Sequence, residues 1–147
     1  MGEVVVSEER NRWIDAVARM IKLTQDGTLE WEAMKPADSL KQEPDDIIDV
    51  IFQTTYRDKL LRLYKRTYIG HRPVSKPFGA DLATLLGVKR ETEPYRATEV
   101  ILDFVSNDGL PLWTYPNVAA LSDLLSAVQY QVAGVKDFLN ELLSDEA

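Results

Sequence analysis

The sequence predicts an α+β protein: an antiparallel five-stranded sheet with N- and C-terminal helices packed on one face, in the order α-βββ-α-ββ-α. Three observations carry that expectation. Apolar residues recur at helical spacing near both ends of the chain, from Trp13 to Thr24 and from Leu121 to Leu142. Between them, apolar and polar residues alternate. Asn107-Asp108-Gly109 is a strong hairpin turn. At 147 residues the chain has the size of one domain, 1–147, and it is 45% hydrophobic and 28% charged, which excludes wholesale disorder.

The first helix is expected over 8–26. Ser7-Glu8-Glu9 offers a capping hydroxyl and two carboxylates to the positive end of the helix dipole, and Gly27 is a left-handed terminator. Leu29, Trp31 and Ala33 alternate with Glu30 and Glu32, a short strand with one wet face. Residues 34–46 hold Pro36, Pro44, Ser39 and Asp45-Asp46 and read as a loop. A second strand spans 47–56, with Ile48, Val50, Phe52, Thr54 and Tyr56 on one face. Arg57-Asp58 turns the chain into a third strand, 59–69.

Glycines and prolines make 70–94 the least regular stretch, with a short helix inside it over 81–87. Strand four is 95–105, with Thr98, Val100, Leu102 and Phe104 inward and Glu99 and Asp103 outward; strand five is 112–115. Asn117 then caps the last helix. Leu121, Leu125, Val128, Val132, Val135, Leu139 and Leu142 form one stripe, which predicts a continuous or gently kinked helix across Gly134. Trp13, Trp31 and Trp113, with Phe52 and Phe104, are expected in the core.

Composition excludes several chemistries. The chain has no cysteine, so thiol catalysis and thiolate zinc sites are out, and its one histidine, His71, excludes multi-histidine metal motifs. No G-x-S-x-G, Walker A or G-x-G-x-x-G pattern occurs. Glu99 and Asp103 lie four strand residues apart, about 13–14 Å, beyond the roughly 5–9.5 Å of a glycosidase pair. Asp45 and Asp46, adjacent in a loop, point apart. These absences point away from an enzyme, and no cofactor or metal is expected. No apolar run is long enough to cross a membrane, the N-terminal residues lack a secretory pattern, and Val6 stands where myristoylation asks for Ser or Thr. A cytoplasmic protein is expected.

The net charge of −7 is unevenly spread. Residues 57–96 hold ten Lys/Arg against four Asp/Glu, and the rest of the chain holds seven against twenty. Within the basic stretch Arg62, Tyr64, Arg66 and Tyr68 alternate along one strand face, the candidate binding residues of the chain. Arginine and tyrosine on an open sheet face can hold phosphates and stack bases. The competing expectation is a lattice in which Glu30, Glu32, Asp49, Glu99 and Asp103 pair with those arginines.

The pattern R-W-I-x-x-h-x-x-h-I-x-L-T-x-x-G at 12–27 (h, apolar), the strand Leu61-Arg62-Leu63-Tyr64 and the segment 127–138 resemble a family of small prokaryotic α+β proteins with no assigned function. The resemblance covers nearly the whole chain and implies no activity or catalytic residue. Separately, the element order is similar to that of type III secretion chaperones, which are small, acidic and dimeric. The expected function is a non-enzymatic protein-binding or adaptor module, its partner another protein or a second copy in a homodimer. Nucleic-acid binding through the Arg/Tyr face is the alternative.

Overall fold

Two long neighbouring strands form the spine of the sheet, and the helices are laid across one side of it. The computed structural model describes residues 2–74, 87 and 91–144. Its elements are α1 (Gly2–Gln25), β1 (Glu32–Met34), a 3₁₀ turn (Asp38–Leu40), β2 (Ile47–Ile48), β3 (Ile51–Tyr56), β4 (Lys59–Pro73), β5 (Thr92–Val105), β6 (Pro111–Thr114), α2 (Ala120–Val132) and α3 (Val135–Ser144). All pairings are antiparallel, in the order β1-β3-β4-β5-β6, with β2 paired to β4 off that path. This is the α+β architecture expected. The short helix expected over 81–87 lies, apart from Gly87, outside the described residues.

The spine is longer than the sequence suggests. Gly70 and Pro73 were expected in an irregular stretch, yet β4 runs through both, and β5 starts at Thr92. The ladder reaches from Leu60↔Val105 to Pro73↔Thr92, and Val74 N–H donates to Glu91 O at 3.1 Å. Beyond the β2 pairing at Thr67 this is a two-stranded arm, where each proline's missing N–H can face outward without breaking a ladder. At Gly70 the Tyr95 ring of the cross-strand partner lies close over the backbone: a Cβ would sit 2.7 Å from its far end, and a side chain there would push the exposed ring aside. At the other end of β4, Arg57 takes φ +57° in the two-residue turn, with its guanidinium 5.5 Å from the Tyr56 ring centroid.

A β-bulge corrects the expected facing of strand 47–56. Ile48 lies opposite Arg66 and Phe52 opposite Leu63, so three residues of one strand (49–51) face two of the other (64–65). The extra residue inverts the alternation. Phe52 stays in the main core, Ile48 joins Ile51 on the opposite face, and Val50, expected inward, is half-exposed.

The main core lies between the sheet and α1 and α2. It gathers Val17 of α1, Phe52, Leu61, Leu63 and Leu102 of the sheet, and Leu121, Leu124, Leu125 and Val128 of α2. A polar clasp ties the helix ends together. Trp31 Nε1 donates to Thr24 Oγ1 at 3.0 Å, while the Gln131 side chain accepts from Trp31 N–H and donates to the carbonyls of Thr24 and Leu29. Trp31 is buried and Trp13 partly so, but Trp113 is half-exposed, because it stands on edge strand β6 against Phe104 and Tyr115.

Three helix boundaries differ from expectation. α1 begins at Gly2, so Ser7 lies within the helix and is not its cap. Asn117 is not a cap either: α2 begins at Ala120, and neighbouring Val118 is buried in the core. The last stripe belongs to two helices. Gly134 adopts φ +68°, which ends α2, and Phe138 N–H donates back to Gly134 O to start α3 on a new course. Among the described residues no helix is long and apolar enough to cross a membrane.

Candidate functional site

The face of β4 turned away from the helices carries Arg62, Tyr64, Arg66 and Tyr68. The first three are buried, at 5%, 4% and 7% exposure, which answers the question the strand pattern leaves open: this face is covered. The residues between β1 and β2 supply part of the cover. Leu40 packs on a second apolar cluster of Ile48, Ile51, Tyr64 and Ile101, and Asp46 reaches Arg66.

Two ion-paired knots form there. In the first, Arg62 Nη2 donates to Asp103 Oδ2 at 3.2 Å and Nη1 to the Gly109 carbonyl at 3.1 Å. Asp103 also accepts from Thr114 Oγ1 at 2.7 Å and from the Tyr64 hydroxyl at 3.5 Å. The Arg62 Nε is buried without a hydrogen-bond partner among the described residues. Burial foremost, then the Asp103 charge, pushes the Tyr64 phenol up to about 12.

In the second knot Arg66 grips Asp46 through two parallel bonds, Nε to Oδ2 at 2.7 Å and Nη2 to Oδ1 at 3.1 Å, and donates Nη1 to Glu99 at 2.8 Å. Asp46 also accepts the backbone N–H groups of Gln42 and Glu43. The Arg66 hydrogen bonds, with those two amides, hold the Asp46 carboxyl down at about 2 against the opposing effect of desolvation. Asp46 in turn raises the Arg66 guanidinium further above its usual range. Tyr68 lies under Arg66, 4.6 Å from guanidinium carbon to ring centroid.

Of the expected acidic lattice, Asp103 and Glu99 meet the arginines, as their register opposite Arg62 and Arg66 dictates. Asp49 pairs instead with Lys65. Glu30 and Glu32 are exposed and hold no cation among the described residues. Asp46 was the acid missed: it lies twenty positions before Arg66 in a loop, where no periodicity reports it. A phosphate reaching either arginine must first displace a carboxylate. His71 sits exposed near the end of β4, and among the described residues no cluster of acidic and histidine side chains suits a metal ion.

The second feature is α3. Its apolar stripe continues that of α2, but none of it is buried: Phe138 is 59% exposed, Leu139 41%, Leu142 50% and Leu143 64%. Tyr130, near the end of α2, is half-exposed too. A groove of about 460 Å³ runs beside the bend, between the end of α1 and the start of α3. Fold and surface together define an α+β protein with one sheet face sealed by helices, ion pairs buried on the other, and an apolar helix left uncovered. No family model, curated protein or solved structure matches the chain.

Proposed function

We propose that the protein is a non-enzymatic protein-binding module that docks through α3, and that its first partner is a second copy of the chain. One observation carries this reading: four large apolar residues on one ten-residue helix, none of them buried. Large exposed apolar patches on soluble proteins mark interaction sites. Packed face to face, two such helices bury at most about 1,000 Å², the lower edge of a stable interface. Such a dimer exchanges quickly with monomer, as suits an adaptor.

Nucleic-acid binding through Arg62, Tyr64, Arg66 and Tyr68 draws less support, because both guanidinium groups are committed to carboxylates. Sedimentation equilibrium tests the main reading. The wild type is expected to pass from one chain to two over about 1–100 μM, the range of a weak, exchanging dimer. Leu139→Glu with Leu142→Glu is expected to stay monomeric with an unchanged melting temperature. A wild type that is monomeric throughout that range overturns self-association.

A further inference from the structure

Where α1 passes the β3–β4 hairpin, the helix and sheet leave an apolar cleft of about 260 Å³. Its walls are Met20 and Leu23 of α1, Leu61 of β4 and Phe104 of β5. Leu61 is buried in the main core, and the other three are packed against it yet keep part of their surface open. Arg19 and Lys59 also line the cleft, and both are exposed. Neither takes part in a salt bridge or side-chain hydrogen bond among the described residues, although the chain holds 24 acidic side chains against 17 basic ones. An apolar hollow bordered by two cations free of carboxylates is complementary to one kind of molecule: an anionic head on an apolar tail.

We infer that this cleft binds a medium-chain carboxylate, with its hydrocarbon tail against Met20, Leu61 and Phe104 and its carboxylate between Arg19 and Lys59. The site shares no residue with α3 and does not depend on self-association. The cleft is short and open on one side, so it holds a tail of medium length, and octanoate is the probe chosen to fill it. Each methylene buried strengthens binding by up to roughly fourfold, so affinity climbs from butanoate to octanoate and levels off once the cleft is full.

The test is a titration of the ¹⁵N-labelled full chain with sodium octanoate, read from amide chemical shifts, with octanol as the uncharged tail and acetate as the bare head group. Octanoate is expected to shift the amides around Met20, Leu23, Leu61 and Phe104 saturably, at least fivefold more tightly than octanol, and acetate not at all. Arg19→Ala with Lys59→Ala is expected to bring octanoate down to the affinity of octanol and leave octanol unchanged. Ala16→Phe, at an exposed helix position lining the cleft, is expected to abolish both while keeping the wild-type melting temperature. Leu139→Glu with Leu142→Glu is expected to bind octanoate as the wild type does, which separates this site from the one on α3. Shifts scattered over the surface, equal affinity for octanol and octanoate, or unchanged octanoate binding in the Arg19/Lys59 double variant would overturn the inference.

Discussion

The two faces of β4 are buried to nearly the same degree and held by different forces. Leu61 and Leu63 lie beneath α1 and α2, 5% and 0% exposed, while Arg62, Tyr64 and Arg66 on the other side are no more than 7% exposed. On the leucine face any well-shaped apolar neighbour serves, because the hydrophobic effect has no direction. On the arginine face each guanidinium needs an acceptor within hydrogen-bond distance, because an unpaired buried charge is destabilising. The four acceptors come from three places: Asp46 before β2, Glu99 and Asp103 on β5, and the Gly109 carbonyl in the β5–β6 turn. Charged side chains on a strand therefore did not mark an open face here. They marked where other parts of the chain arrive.

Breaking the leucine face has the largest expected effect. Leu63→Asp places a carboxylate with no cation in the main core, and its cost of several kcal/mol stands against a typical total stability of about 5–15 kcal/mol. The variant is expected to show no cooperative thermal transition by circular dichroism. A wild-type melting curve would mean that the helices do not seal this face.

The arginine face is expected to respond next, and in a way that can be reversed. Arg62→Met leaves the Asp103 carboxylate buried with only Thr114 and Tyr64 as donors, at a cost of about 3–5 kcal/mol. Adding Asp103→Leu makes that part of the outer face resemble the inner one, and urea denaturation is expected to show recovery of at least half the loss. A double variant less stable than the single one would show that the pair holds the face in a way apolar packing cannot replace.

Acid sharpens the contrast, because only one face of β4 titrates there. The folded-state pKa of Asp46 lies at about 2, below its ordinary value of 3.8, mainly through the Arg66 hydrogen bonds. Since the folded value is the depressed one, the stabilisation is complete above about pH 4 and is lost as pH falls towards 2. Melting temperatures recorded from pH 5 to pH 2 are expected to fall more steeply for the wild type than for Asp46→Asn. Parallel slopes would remove Asp46 from the acid response.

Much of the fold was legible because it rests on local pattern. The stripe of α1, the Arg57-Asp58 and Asn107-Asp108-Gly109 turns, and the inward Leu102 and Phe52 follow from periods of 3.6 and 2 and from turn chemistry. What escaped depended on an inserted residue or on a distant partner. The bulge at 49–51 is one extra residue in a run rich in β-favouring side chains, and the alternation of that run does not say where the register slips. Gly134 was visible, but the stripe keeps its phase across it, so periodicity alone did not separate a bend from a tolerated helical glycine. The candidate site divides the same way. The Arg62–Asp103 and Arg66–Glu99 pairs were within reach of strand-face reasoning, whereas Asp46 and the cleft beside Arg19 and Lys59 were not.

The sequence by itself determined the central stretches of the long helices and strands, which faces of β4 and β5 are apolar, and which chemistries a chain with no cysteine and one histidine lacks. These follow from backbone sterics, side-chain period and composition, all properties of neighbours along the chain. Only the tertiary structure decided that Arg62 and Arg66 are buried and neutralised, that one apolar stripe is split into a covered half and an uncovered one, and that two cations flank an apolar cleft. Burial and charge pairing belong to residues brought together across twenty to a hundred positions, and their energies are set by distances that no local pattern records.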